Sequence, residues 1–219
     1  MESDDKMGRE FIPLFENWAN SYDDTVVGRD LQYKEVFRDY DGILDDVVSR
    51  SGHKVLEFGV GTGNLTAKLL AAGKAVTGVE PSKAMREIAE AKLPENAVIV
   101  DGDFLDFPDP PFSPDTIVSS YAFHHLTNEE KREAVKRYGK MLGKHGKIVF
   151  ADTVFKDREA FSAAVKKAKE NGFLQLAEDL ETEHYPTISE METIFTSEHF
   201  SIAFQKHNDF VWVMEAAKL

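Results

Sequence analysis

Residues 54–70 read KVLEFGVGTGNLTAKLL. Lys54–Phe58 has the apolar, β-favouring character of a short strand. Three alternate glycines follow, Gly59, Gly61 and Gly63, and then leucines and alanine at helical spacing. Glycines let a chain turn sharply and let a ligand approach backbone amides that a Cβ would block. The helix that follows aims its N-terminal N–H groups at the same place. A dinucleotide fingerprint, G-x-G-x-x-G, would put its third glycine at position 64, where Asn64 stands. The spacing here is G-x-G-x-G, so the turn fits a different ligand, or none.

Outward from this stretch the β-α alternation continues. A helix over Asn64–Ala72 ends near Gly73, and "AVTGVE" is a second strand. Ser82 is placed to cap a helix over Lys83–Lys92, and "AVIVDG" is a third strand. A proline-rich loop leads to "TIVSSYA", a fourth. Thr127 and Glu130 have the spacing of a capping box, and "GKIVFAD" is a fifth strand. Residues 157–182 read as helix with a break near Gly172, and Ser189 with Glu192 as the cap of another. "FSIAFQ" and "FVWVMEA" around "KHND" read as an antiparallel hairpin. Ahead of the glycine turn, a helix starts near Pro13 with Phe11, Phe15 and Trp18 at helical spacing. The apolar residues from Val36 to Val48 predict a second helix over Asp30–Arg50. Short strands alternating with helices imply a mostly parallel sheet covered on both faces.

Composition narrows the function. The 219 residues suffice for one domain with a sizeable core, and 42% hydrophobic content with 16 Phe fits a folded chain. There is no cysteine, which excludes disulfides, thiolate nucleophiles and Cys-zinc sites. No run approaches the roughly 20 apolar residues of a membrane span, and the acidic start MESDDKMGRE has no apolar signal core. The expectation is a cytoplasmic protein with no membrane partner. The net charge of −13, with scattered Lys and Arg, repels phosphate backbones and argues against nucleic acid. A small-molecule acceptor or ligand is the expected partner.

Two acids reinforce the turn. Glu80 ends the second strand, where a ribose-binding carboxylate sits in doubly wound folds, and Asp103 follows the third. Three adjacent strand ends therefore carry ligand-type features. "VLEFGVGTGN", "GVEPS", "VDGDFLDFP" and "DTIVSSYAFHHL" together resemble, in order and spacing, motifs I to IV of class I S-adenosylmethionine-dependent methyltransferases. From Met7 onward the chain resembles the YrrT-type methyltransferases of bacilli, a family whose genomic association points toward methionine and cysteine recycling.

The resemblance implies a Rossmann-like, doubly wound, seven-stranded α/β fold with an antiparallel C-terminal hairpin. N-terminal helices and a helical insert after strand five would form its cover. Residues 1–8 fall outside the domain and 9–219 form it: a cap over 9–50, a cofactor core over 51–152, an insert over 153–198 and a hairpin over 199–219. The implied cofactor is S-adenosyl-L-methionine. Gly59 would begin the loop against its methionine part, with Gly61 and Gly63 completing the turn. Glu80 would accept the ribose hydroxyls. Asp103 would bond the adenine amino group, with Phe104 beside the ring. Glu57 matches the acid that orders the loop or reaches the methionine amine, and Tyr121 lies on the sulfonium side.

The acceptor end is read from side-chain chemistry. His124 and His125 follow the fourth strand, and a neutral imidazole there could take an acceptor's proton. His125 is the first catalytic candidate, His124 the second, and Tyr22 joins them from a segment that would fold over the cofactor. Trp18, His184 and Tyr185 are candidate acceptor-pocket residues. In "LETEHYPT", Glu181, His184 and Tyr185 would share a face if helical, although Pro186 makes a break near them. The absence of an Asn/Asp-Pro-Pro-Tyr turn argues against nucleobase and glutamine amides as acceptors. Adjacent histidines do not make a metal signature, so no metal is expected. The reading is methyl transfer to a small cytosolic acceptor. A non-catalytic module binding S-adenosylmethionine or S-adenosylhomocysteine, and a nicotinamide oxidoreductase, are the alternatives.

Overall fold

The computed structural model describes residues 12–219. The readings of residues 1–8 and of Phe11 lie outside them. The seven strands are β1 (Lys54–Phe58), β2 (Ala75–Val79), β3 (Val98–Val100), β4 (Thr116–Ser120), β5 (Lys147–Thr153), β6 (Phe200–Lys206) and β7 (Val211–Lys218). They form one sheet in the order β3-β2-β1-β4-β5-β7-β6. The first five pair in parallel. β7 lies antiparallel between β5 and β6.

Alternation along each strand explains why helices cover both faces. Val55, Val118 and Val149 point into one core, with α2 (Tyr40–Arg50), α3 (Asn64–Ala71), α6 (Arg158–Glu170) and α7 (Leu174–Thr182). Leu56, Phe58, Ile117 and Phe150 point into the other, against α5 (Asn128–Met141) and α8 (Ile188–Ser197). Each fully buried Leu or Phe here is worth about 1.5–3 kcal/mol. α4 (Lys83–Lys92) packs Ala89 and Leu93 onto Val60 beside the glycine turn, and α1 (Ile12–Val26) precedes the whole. From β1 the chain proceeds outward to β2 and β3, then crosses back to β4 on β1's other side. A doubly wound sheet opens a crevice at this reversal, outside the carboxyl ends of β1 and β4.

Two local expectations are corrected. Only Tyr40–Arg50 of the expected Asp30–Arg50 helix is helical. Residues 31–39 form turns, and Asp39 takes a left-handed φ of 63°. The apolar spacing is satisfied differently there, because Tyr33, Val36 and Phe37 turn inward to line a cavity. Second, α8 starts at Ile188, capped by Thr187 and Glu190, not by Ser189 and Glu192. "TISEMET" contains both four-residue T/S-x-x-E patterns. The backbone decides, since Phe155 N–H donates to Pro186 O and Ile188 N–H to Phe155 O, which pins Thr187 at the helix start. Helix α7 stops at Thr182, where the expected helical region ends, so the condition for Glu181, His184 and Tyr185 to share a helical face is not met: Glu183 is extended, with φ −91° and ψ 168°. In extended backbone, residues two apart share a side. Glu183 and Tyr185 therefore face inward, His184 is exposed, and Glu181 pairs outward with Lys169 at 2.7 Å.

Candidate active site

A cavity of about 280 Å³ opens at the carboxyl ends of β1, β2 and β4. One end is built by the strand-end residues Gly59, Gly61, Glu80, Asp103 and Phe104. The other is built by Trp18, Tyr22, Tyr33, Phe37, His124, His125, Glu183 and Tyr185, with Tyr121 also in the lining.

The glycine turn depends on glycine. Gly59 has φ +69°, and a Cβ there would stand 2.7 Å from Ala122 Cβ. Gly61, at φ +56°, has nothing among the described residues within 4 Å of its missing Cβ, so the space on that side of the turn is open. Gly63, at φ +86°, does not line the cavity. It lets α3 approach Ala89 and Leu93, where a Cβ would be 3.2 Å and 3.1 Å away. Gly59→Ala is expected to destabilise the fold by about 2–4 kcal/mol, from left-handed strain plus overpacking. An unchanged urea midpoint would refute this account of the turn.

Glu80 is 4% exposed and held by two backbone donors. Gly61 N–H donates to Oε2 at 2.8 Å and Ser82 N–H to Oε1 at 2.9 Å. Burial raises its pKa to about 7, against the opposing effect of those bonds. Asp103 Oδ1 accepts from the amides of Leu105 and Asp106 at 2.8 Å each, which fixes the carboxylate at the cavity. Glu57 is buried behind the turn. Its Oε2 accepts from Thr66 Oγ1 at 2.7 Å, and burial raises its pKa to about 8. It braces α3 and is not a cavity-lining residue.

Sequence reasoning gave Asp23 no role. Asp23 Oδ1 accepts from Thr62 Oγ1 at 2.6 Å and Asn64 Nδ2 at 3.1 Å, and Oδ2 pairs with Lys92 Nζ at 2.7 Å. Those bonds hold its carboxyl below the usual range although burial opposes them. The N-terminal helix is thus fastened to the glycine turn itself. Its neighbours Trp18 and Tyr22 meet edge to face at 5.4 Å and lie over the cavity as expected.

At the opposite end the expected histidines are both buried, at 7% and 8% exposure. His124 Nδ1 faces Asp152 Oδ1 at 2.5 Å, and its Nε2 faces Glu183 Oε2 at 3.2 Å. Burial works against charge on His124, but the two carboxylates outweigh it and raise its pKa. Burial and the charge on His124 push His125 down, so it is neutral near pH 7. Tyr185 stacks on His124 with centroids 4.7 Å apart and donates its O–H to Glu183 Oε2 at 2.5 Å. His184 does not join the cavity; it lines a shallow depression outside. Glu183 was missed. The available signal was its position two residues before Tyr185, readable only if the segment is taken as extended.

The turn, the two strand-end acids and the sheet order can be compared with known proteins. Residues 55–146 match the family described as methyltransferase domain. An uncharacterized methyltransferase of Bacillus licheniformis is 99% identical over 213 residues, covering 97% of this chain and 100% of that one. The uncharacterized methyltransferase YrrT of Bacillus subtilis is 65% identical over 212 residues, with 97% and 100% covered. The magnesium protoporphyrin IX methyltransferase of Synechocystis PCC 6803, with bound S-adenosylhomocysteine, superposes with a TM-score of 0.69. It shares 17% identity and covers 94% of this chain and 99% of its own. Fold and relatives define the class, a Rossmann-like methyltransferase. Within that class the chain belongs to the YrrT-type methyltransferase family of bacilli.

S-adenosylmethionine is the cofactor that the sequence motifs imply, and the residues present fit it. The open space beside Gly61 leaves room for a ligand, and the buried hydroxyl of the cavity-lining Tyr121 has no hydrogen-bond partner among the described residues. Glu80 and Asp103 add fixed acceptors on the same side. None of the helices among the described residues is long and apolar enough to cross a membrane.

Proposed function

We infer that this chain transfers the methyl group of S-adenosylmethionine to a small cytosolic acceptor bearing an ionisable O–H, S–H or N–H. The carrying observation is the continuity of one cavity from the glycine turn to the His124–His125–Glu183 cluster. When bound, the cofactor supplies an electrophilic methyl group on a sulfonium. The chain's own work is to bind, to align and to exclude water, and alignment alone can lower a barrier by roughly 7–11 kcal/mol.

In this reading Glu80 accepts the ribose hydroxyls, Asp103 takes the adenine amino group and Phe104 flanks the ring. The loop that begins at Gly59 lies against the methionine part, with Glu57 bracing the turn behind it. Tyr121 and Tyr22 stand between the two ends, where aromatic faces attract a sulfonium. Trp18 and Tyr185 wall the acceptor, and His125, assisted by His124, activates it. His184 is exposed and has no part in this site. A place near methionine and cysteine recycling rests on the family resemblance alone. The test is a labelled-methyl assay of the purified protein against a cytosolic metabolite extract, with the product identified. Absence of transfer to any small molecule would refute the acceptor class.

A mobile cover belongs to the same reading. Tyr33 donates its hydroxyl to Asp179, and Gln175 N–H donates to Gln32 Oε1 at 3.1 Å, so the turns that follow the N-terminal segment meet α7 over the cavity. S-adenosylhomocysteine is expected to slow hydrogen exchange in residues 12–30 and 173–187. Protection confined to the glycine turn would argue against a cover.

A further inference from the structure

We propose that His124 Nε2, His125 Nδ1 and Glu183 form a three-ligand site for a divalent transition-metal ion of the zinc class, at the acceptor end of the cavity. The inference deepens the functional reading above and rests on that end being where the acceptor sits.

The argument starts with convergence. One ligand atom from each of the three residues lies within 4.8 Å of the others. His124 Nε2 is 3.2 Å from Glu183 Oε2, and His125 Nδ1 is 3.9 Å from Glu183 Oε1. Ligand atoms of a tetrahedral zinc ion, each about 2.0–2.1 Å from it, are about 3.3–3.4 Å apart, so modest side-chain adjustment closes the set. Two His and one Glu with a position left open is a donor set that catalytic zinc sites use.

The support behind the ligands is a separate observation. A metal-binding imidazole donates its other N–H to a carboxylate or carbonyl, which fixes the tautomer and the ring. His124 Nδ1 faces Asp152 Oδ1 at 2.5 Å, so a bound ion would displace the proton of Nε2, which faces Glu183, while Asp152 holds the Nδ1 proton. Asp152 is itself fixed by the amides of His124 at 2.8 Å and Thr153 at 2.7 Å. Glu183 is held by the Tyr185 hydroxyl.

The two ligand-bearing segments are also joined. His184 N–H donates to His124 O at 3.2 Å. The buried Lys131 donates from Nζ to Leu126 O and, at 2.8 Å, to His184 O. A simple His124–Glu183 ion pair requires neither the convergence of His125 nor this bracing.

An ion here would face the acceptor and acidify its X–H, as bound cations do to water. The proton would leave to solvent. The X–CH₃ bond then forms as the sulfonium–CH₃ bond breaks, and that bond's electron pair stays on sulfur as a neutral thioether.

The test uses the full chain after dialysis against chelator. Zinc calorimetry is expected to give one saturable site, and Co²⁺ to give d–d absorption of four-coordinate intensity. His125→Ala and Glu183→Gln should weaken binding by at least about tenfold, and Asp152→Asn by about 10–100-fold. S-adenosylhomocysteine titration of each metal-free variant checks folding. Should a variant fail that check, NMR of the wild type replaces it, with Co²⁺ expected to broaden the ring signals of His124 and His125. Zinc that does not saturate, affinity unaltered in the folded variants, or broadening elsewhere would each overturn the site. Wild type failing to bind S-adenosylhomocysteine would instead overturn the cofactor reading, so the two failures are distinguishable.

Discussion

Replacing His125 with alanine is expected to lower turnover by about 10²–10⁴-fold, the range for loss of a positioned acid–base group, while affinity for S-adenosylhomocysteine stays nearly constant. The separation follows from placement. His125 is at the end of the cavity remote from Glu80 and Asp103, and follows β4 on a short 3₁₀ turn over Phe123–His125. Its imidazole is buried against Glu183, so its removal changes what the acceptor meets and not what the adenosine meets. Single-turnover rates with saturating cofactor, beside calorimetric affinity, check it. Collapse of cofactor affinity with unchanged turnover per bound complex would show that His125 belongs to the cofactor end.

Glu80→Ala is expected to cut S-adenosylhomocysteine affinity at least about tenfold, since each hydrogen bond to a charged carboxylate is worth roughly 1.5–3 kcal/mol. Asp103→Ala should cost less. The buried state of Glu80 adds a pH signature. In the ligand-free fold its pKa is raised from 4.5 to about 7 by burial. The folded state therefore holds a proton that the unfolded chain has released, and Glu80's contribution to stability fades as pH rises from 4.5 through about 7. Cofactor binding has the opposite slope, because ribose hydroxyls donate to the ionised form. Affinity should rise by up to about tenfold between pH 6 and pH 8. In Glu80→Gln that dependence should vanish. An equal slope in both proteins would assign the titration to another group.

The parallel core was readable because each of its signals is local. Ser82 and the Thr127–Glu130 pair cap their helices through bonds spanning three residues, and the structure places both where the sequence does. The same holds for the glycine turn and for the acids that end or follow β2 and β3, whose positions follow from register. The acceptor end was legible only in part. Trp18, Tyr22, His124, His125 and Tyr185 do converge, but Glu183 and Asp23 act through partners far along the chain. Glu183 meets His124 across 59 residues, and Asp23 meets Lys92 across 69. Helical spacing misled at residues 30–39, and the helical condition on Glu181–Tyr185 was not met. In both places side chains are drawn to a cavity formed by other segments, and tertiary contact outweighs a weak local preference.

Asp23 carries a kinetic consequence. Its carboxylate is shared by Thr62 and Asn64 of the turn and by Lys92 at the end of α4. The helix beside the cavity is thereby latched to the glycine turn. If, in the proposed reading, the spent thioether leaves beneath that helix, the latch must open first and its lifetime would set a ceiling on the catalytic cycle. A weakened latch would shorten the dwell of both cofactor forms and admit water during the transfer. Throughput and fidelity then trade against each other at a residue that need not touch either reactant.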